Sequence, residues 1–330
     1  MSHKKGKAAK KRSGKRNRGK GRLKAIVLFV VVICIVLFAV YSFCRYGQGK
    51  RKPATEIAWT EAPSQARTAK PKPQERNTGK NVPAKRKPET QPANHPTIPQ
   101  IIDYTDLEYP VSYAAQPEQV IFHTGYTVSF NKNRKIPNWV SYELTIDEAV
   151  GTEKRYDKFV ADPFVKEGTA TTADYRNSGY DRGHMAPAAD MKWSLAAMKE
   201  SFYLSNICPQ HPKLNQRRWK DLEDRVRKWA VADSAVIVIC GPVAGEPVQY
   251  IGNGVAVPAG FFKVILSPYK KQPKAIGFLF GNKHCTQPLR SYAVSVDSVE
   301  TVTRLDFFPS LPDGTENLLE AYVDTTYWKL

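Results

Sequence analysis

Cysteine is scarce in this chain of 330 residues. Of five, Cys34 and Cys44 lie in or at the end of a hydrophobic run, which leaves Cys208, Cys240 and Cys285 for everything downstream. Three thiols allow three pairings and leave one sulfur over, so no disulfide framework is written into the pattern. Cys208 and His211 are close together, but no second pair of ligands stands at finger-like spacing, which excludes a structural zinc module. No internal repeat is visible, which excludes a solenoid or a propeller. Acidic residues are missing from residues 1–24, which hold twelve Lys/Arg, and residues 45–100 hold twelve Lys/Arg against four Asp/Glu. These segments carry +20 of a total of +19, so residues 101–330 stand at −1. Net charge therefore gives no support for nucleic-acid binding by the folded part. Any grip on phosphate must come from local basic side chains.

Residues 25–44 contain no charge over twenty positions. As a helix that run is about 30 Å long, the thickness of a bilayer's hydrocarbon core. The apolar region of a signal peptide is shorter and ends at a small-residue cleavage site, absent here, so the run reads as an uncleaved signal anchor. With twelve basic residues before it, the positive-inside rule predicts a single-pass membrane protein. Its N-terminus would be cytoplasmic and its C-terminal domain outside the cytoplasm, periplasmic or extracellular. Residues 46–100 hold nine prolines and few large apolar side chains. Such a segment cannot bury enough surface to offset its ordering entropy. The expected organisation is a basic cytoplasmic tail (1–24), a transmembrane anchor (25–44), a disordered Pro/Lys-rich linker (45–100) and a folded domain (101–330).

Within that domain, Tyr126–Phe130 and Trp139–Thr145 read as strands joined by a polar turn. Val140, Tyr142 and Leu144 alternate with Ser141, Glu143 and Thr145, which suits a sheet with one wet face. Val236–Cys240 is continuously apolar and reads as a central strand, and Phe261–Leu266 and Ala275–Phe280 read as two more. Ser194–Ser201 and Gln216–Ala230 fit helices. Intermixed strands and helices predict one α+β domain.

The candidate chemistry sits in Asp181-Arg182-Gly183-His184. If this run is extended, Arg182 and His184 point to one side and Asp181 to the other. A cation beside an imidazole holds the ring neutral near pH 7. A neutral histidine can accept a proton, and a guanidinium can grip a phosphate. Gly183 leaves room for something bulky against the backbone. An Asp–Arg ion pair with a satisfied surface histidine is the plain alternative. On the later helix, Asn215, Trp219, Leu222, Val226, Trp229 and Ala230 share one stripe, with Glu223 at its margin. An asparagine at the head of an apolar stripe needs a partner; it serves as a cap, a structural amide or a metal ligand. Ser205–Gln210 reads as a loop that aims Asn206 inward.

In this order, Asp181-Arg182-Gly183-His184, Ser205-Asn206-x-x-Pro209-Gln210 and Asn215-x-x-x-Trp219-x-x-x-Glu223 resemble the DNA/RNA non-specific endonucleases. These are the ββα-metal superfamily that includes the Serratia-type nuclease and endonuclease G. The resemblance runs over roughly 120–310. It implies a ββα-metal (His-Me finger) domain with a mostly antiparallel central sheet flanked by helices. It further implies hydrolysis of phosphodiester bonds in DNA and RNA to 5′-phosphate ends. In that scheme His184 is the general base, and Asn215 is the sole direct protein ligand of Mg²⁺, with Mn²⁺ as a substitute. Glu223 holds metal-bound waters, Asn206 supports the metal–histidine geometry, and Arg182 and Arg155 stabilise charge on the phosphate. DNA and RNA are the implied partners through phosphate contacts, the membrane a further one through residues 25–44, and a homodimer the assembly to test. Two other readings fit the same residues: a tethered nucleic-acid-binding module without catalysis, and a phosphodiesterase acting on another substrate.

Overall fold

The computed structural model describes residues 106–270 and 272–330, all within one compact unit, Glu56–Leu330. The expected tail, anchor and linker (residues 1–100) lie outside the described residues. Among the described residues no helix is long and apolar enough to cross a membrane, so the transmembrane part of the expected architecture has no counterpart there.

The short β1 (Val111–Ser112) precedes β2 (Gln119–Phe122), β3 (Thr127–Asn131) and β4 (Ile136–Thr145). A one-turn helix, α1 (Ile146–Ala149), leaves β4 through a capping box in which Thr145 and Glu148 bond each other's backbone. Next come β5 (Asp181–His184), α2 (Leu195–Glu200) and β6 (Ile207–Gln210). A π-helical turn (Leu214–Trp219) runs directly into α3 (Lys220–Asp233). Then follow β7 (Ala235–Val243), β8 (Gln249–Ile251), β9 (Val255–Val257), β10 (Gly260–Ser267), β11 (Lys274–Gly281) and β12 (Ala293–Val294). The chain closes with α4 (Val296–Thr303), β13 (Leu305–Asp306), α5 (Asp313–Glu320) and α6 (Thr325–Trp328).

Seven strands form the central sheet in the order β12-β11-β10-β7-β4-β3-β2. Every neighbouring pair is antiparallel. β7 occupies the middle, where its unbroken apolar run is covered on both faces. Val236, Val238 and Cys240 belong to one hydrophobic cluster, with Trp219, Leu222 and Val226 of the π turn and α3. Ile237 and Ile239 belong to the other, with Val296 and Val299 of α4 and with Phe307 and Phe308. The expected wet face is therefore corrected. Ser141 is fully buried, while Glu143 and Thr145 on the same side of β4 are half-buried, so that face is dry at its start and only partly wet at its end.

A second correction concerns Ser205–Gln210. Leu204–Asn206 makes one 3₁₀ turn, and the segment that follows is β6, paired antiparallel with β5. Pro209 suggests a loop, but in a two-stranded ribbon each strand is an edge, where a missing N–H costs nothing in the ladder. The ribbon β5–β6 followed by a helix gives the ββα arrangement its parts. Cys208, Cys240 and Cys285 are all buried, and no disulfide forms among the described residues.

Candidate active site

The ribbon's register sets Arg182 opposite Pro209, Gly183 opposite Cys208 and His184 opposite Ile207. Gly183 is needed here, though for a different reason than substrate access. A Cβ on it would lie 2.3 Å from Gln210 Oε1 and 2.6 Å from Gln210 Cβ, so the space above the glycine is filled by Gln210. Gln210 is fully buried, and neither atom of its amide has a hydrogen-bond partner among the described residues.

His184 ends β5, and several contacts hold it there. Its carbonyl accepts a bond from Trp219 Nε1 at 3.2 Å. Its ring packs edge-on against Phe202 at 4.9 Å and against Phe159 at 5.4 Å. Nε2 is buried without a partner. Burial first, then the charges of Arg155 and Arg182, push its pKa down to about 3, so the ring is neutral at pH 7. Both arginines stand over the same aromatic pair. Arg182 lies 4.4 Å from the Phe159 ring centre, and Arg155 lies 4.9 Å from that of Phe202. Arg182 is exposed. Arg155 is ion-paired with Asp157 at 2.5 Å, with both side chains mostly exposed. The expected sharing of one side by Arg182 and His184 is what the fold has.

Asn206 is fully buried and saturated by backbone. Its Oδ1 accepts from Ala186 N at 2.9 Å, and its Nδ2 donates to Ala186 O at 2.9 Å and Ser201 O at 2.8 Å. It therefore clamps the chain two residues after His184. Asn215 lies in the π-helical turn, a distortion that recurs at functional sites. Its Nδ2 donates to Asp181 Oδ2 at 2.9 Å, and Gln216 donates to the same oxygen at 2.8 Å. The amide NH₂ is thereby fixed, and Oδ1 is the atom left to act as a ligand. Asn215 and His184 are thus both tied to one four-residue strand, a span of about 10 Å.

Glu223 sits farther along the helix, in a different electrostatic group. Burial, opposed by Lys263 and reinforced by Asp190, pushes its carboxyl up to about 7. Lys263 is fully buried on β10, opposite Cys240 and 4.6 Å from the Trp219 ring centre, and its Nζ has no hydrogen-bond partner. Asp190 bonds Arg227 at 2.5 Å and the Tyr142 hydroxyl at 2.8 Å. No direct contact joins Glu223 to Asn215 or His184 among the described residues. Two residues escaped the sequence reading. Asp181 was placed on the far side of its strand, although the π turn brings Asn215 round to it. Lys263 was absorbed into an apolar strand; a lysine inside Phe-Phe-Lys-Val-Ile-Leu was its signal.

The donors present fit a small, hard cation. The Asn215 carboxamide oxygen, left over when its own NH₂ bonds Asp181, is the kind of oxygen ligand that Mg²⁺ prefers.

Comparison with known proteins gives these residues a setting. The model of the family described as DNA/RNA non-specific endonuclease matches residues 104–314. The chain is 37% identical over 218 residues to "Nuclease 1, mitochondrial" of Schizosaccharomyces pombe, covering 59% of this chain and 67% of that protein. It is 35% identical to "Nuclease EXOG, mitochondrial" of Mus musculus, covering 62% and 60%, and 35% identical to "Endonuclease G, mitochondrial" of Homo sapiens, covering 56% and 68%. The chain thus spans between three fifths and about two thirds of the length of these relatives. A solved structure of an EndoG/EndoGI complex superposes with a TM-score of 0.56 at 29% identity, covering 60% of this chain and 89% of that one. These relatives overturn the expected localisation. They are named mitochondrial nucleases, so the reading of a single-pass protein with an exported domain is withdrawn. Because the family match covers well over half the chain and carries the whole β5–β6–helix unit, this protein belongs to the DNA/RNA non-specific endonuclease family, whose members are nucleases.

Proposed function

We propose that the protein is a metal-dependent, sugar-non-specific endonuclease that hydrolyses phosphodiester bonds of DNA and RNA and leaves 5′-phosphate ends. The observation that carries this reading is the neutral imidazole of His184, flanked by Arg155 and Arg182 and tied through β5 to the oriented amide of Asn215.

His184 takes the proton from the attacking water, a task suited to a ring that is uncharged and unbonded at Nε2. The exposed guanidinium of Arg182 and that of Arg155 bind the scissile phosphate and stabilise the charge that grows on it. Asn215 offers Oδ1 to Mg²⁺, or to Mn²⁺ in its place, while Asp181 keeps the amide from turning. Glu223 holds waters of that ion, and Asn206 fixes the turn that follows His184. Mg²⁺, when bound, neutralises charge on the phosphate and assists departure of the 3′-oxygen. No element reads base edges in this scheme, which matches contact with phosphate and sugar alone. A second copy of the chain is the proposed protein partner. The free edge of β2, where Val120 and Phe122 are exposed, supports it, and light scattering tests it.

Incubating the full chain with supercoiled plasmid and with single-stranded RNA tests the reading. Both are expected to be cut in Mg²⁺, to survive in a chelator, and to yield ends that ligate without added phosphorylation. Intact plasmid in Mg²⁺ at enzyme excess would overturn it.

A further inference from the structure

We propose that Asp297, Glu300 and Glu320 form a Ca²⁺ site that ties α4 to α5, on the face of the sheet away from the nuclease centre. Each residue offers a carboxylate oxygen, and these oxygens lie within 4.8 Å of one another. Ligands on opposite sides of a Ca²⁺ ion stand at most about 5 Å apart, twice a bond of about 2.3–2.6 Å, so the cluster fits one such shell.

Asp297 and Glu300 are one turn apart on α4 and share a side of that helix. Glu320 is the last residue of α5, where the negative end of the helix dipole disfavours an anion, and neither α4 nor α5 has a basic residue in its last turn. The independent sign of a ligand is Glu320 itself. It is 4% exposed, and its Oε1 is buried with no hydrogen-bond partner among the described residues. An anion in that position is costly unless a cation meets it. Asp297, by contrast, is exposed and leaves one side open for entry and for water ligands.

Three carboxylates and no amide make a site of higher charge than the nuclease centre. Their capacity for bidentate binding suits Ca²⁺, which takes six to eight oxygens, better than Mg²⁺, which keeps its waters. Glu300 Oε1 also accepts from Phe307 N at 2.9 Å, so an ion here would hold the Phe307–Phe308 segment against the sheet. The site is independent of the nuclease reading.

The test uses the full chain stripped with a chelator, as wild type, Asn215→Ala, Asp297→Asn and Glu320→Gln. Unfolding temperature is read without and with millimolar Ca²⁺, and CaCl₂ is titrated calorimetrically. Ca²⁺ is expected to raise the unfolding temperature of wild type and Asn215→Ala alike, which separates this site from the nuclease centre. Affinity should fall about tenfold or more in Asp297→Asn, as expected when ligand charge is removed, and the response should vanish in Glu320→Gln. Asp297 is exposed, so its variant reports even if Glu320→Gln folds poorly. Absence of a Ca²⁺ response in Asn215→Ala, or an unchanged affinity in Asp297→Asn, overturns the proposal.

Discussion

The two faces of the central sheet are built from different kinds of contact. Against one lie the β5–β6 ribbon and the π turn, and there His184 Nε2, both amide atoms of Gln210 and Lys263 Nζ are buried without partners. Against the other lie Val296, Val299, Phe307 and Phe308, interlocked with Ile237, Ile239, Phe262 and Val264. The first face carries polar groups whose partners a substrate or an ion can supply; the second is held mainly by apolar packing, with Glu320 as its buried polar exception. Substitutions on the two faces should therefore separate activity from stability.

The largest separation is expected at His184. His184→Ala should cut digestion of plasmid by about 10²–10⁴-fold, the usual contribution of a general base, while gel-shift binding and unfolding temperature stay near wild type. Wild-type digestion by the folded variant would remove the assignment. The mirror image is Phe307→Ala, which empties a fully buried site on the opposite face. It should lower the unfolding free energy by about 3–5 kcal/mol in denaturant titrations and leave the rate per folded molecule unchanged. A comparable loss of rate would show that the faces are coupled.

Asp181→Ala comes next. It removes the acceptor that fixes Asn215 and Gln216, so the Mg²⁺ concentration for half-maximal cutting should rise by about 10–100-fold, with kcat at saturating metal less affected. The smallest effect concerns acid stability. Burial would raise the pKa of Asp162, but bonds from His123, Ser205 and Phe164 N outweigh it and hold the carboxylate below 3.8. A depressed folded value means that this stabilisation is complete above the unfolded pKa and is lost as pH falls through the folded one. Asp162→Asn should therefore flatten the loss of stability below pH 3.8, read by thermal unfolding across acidic buffers.

Much of the fold was readable because its signals are local. Val236–Cys240 names a central strand by being apolar at every position, and β10 and β11 begin and end within one residue of Phe261–Leu266 and Ala275–Phe280. The Arg182–His184 pairing on one side of a strand follows from the twofold period of extended chain. Long-range registers were not readable. Ser205–Gln210 looked like a loop because it lies between two helical stretches, whereas its second part pairs with β5, well upstream in the chain, a contact that local pattern does not show. Asp181 was set aside because strand alternation turns it from His184. That argument cannot foresee a helix arriving from residue 215 to use it. Ser141 looked solvent-facing because its neighbours alternate, and only tertiary packing over the second face buries it.

By itself the sequence determined which residue types stand in line: an imidazole beside a cation, an amide at the head of an apolar helix, and strands long enough to bury. Spacing along one chain suffices for that, since strand and helix periods are properties of the backbone. Tertiary structure alone decided which end of the Asn215 amide is engaged, what fills the space over Gly183, and why Lys263 is buried beside Trp219. Those are contacts between segments tens of residues apart, and only packing in three dimensions selects among them.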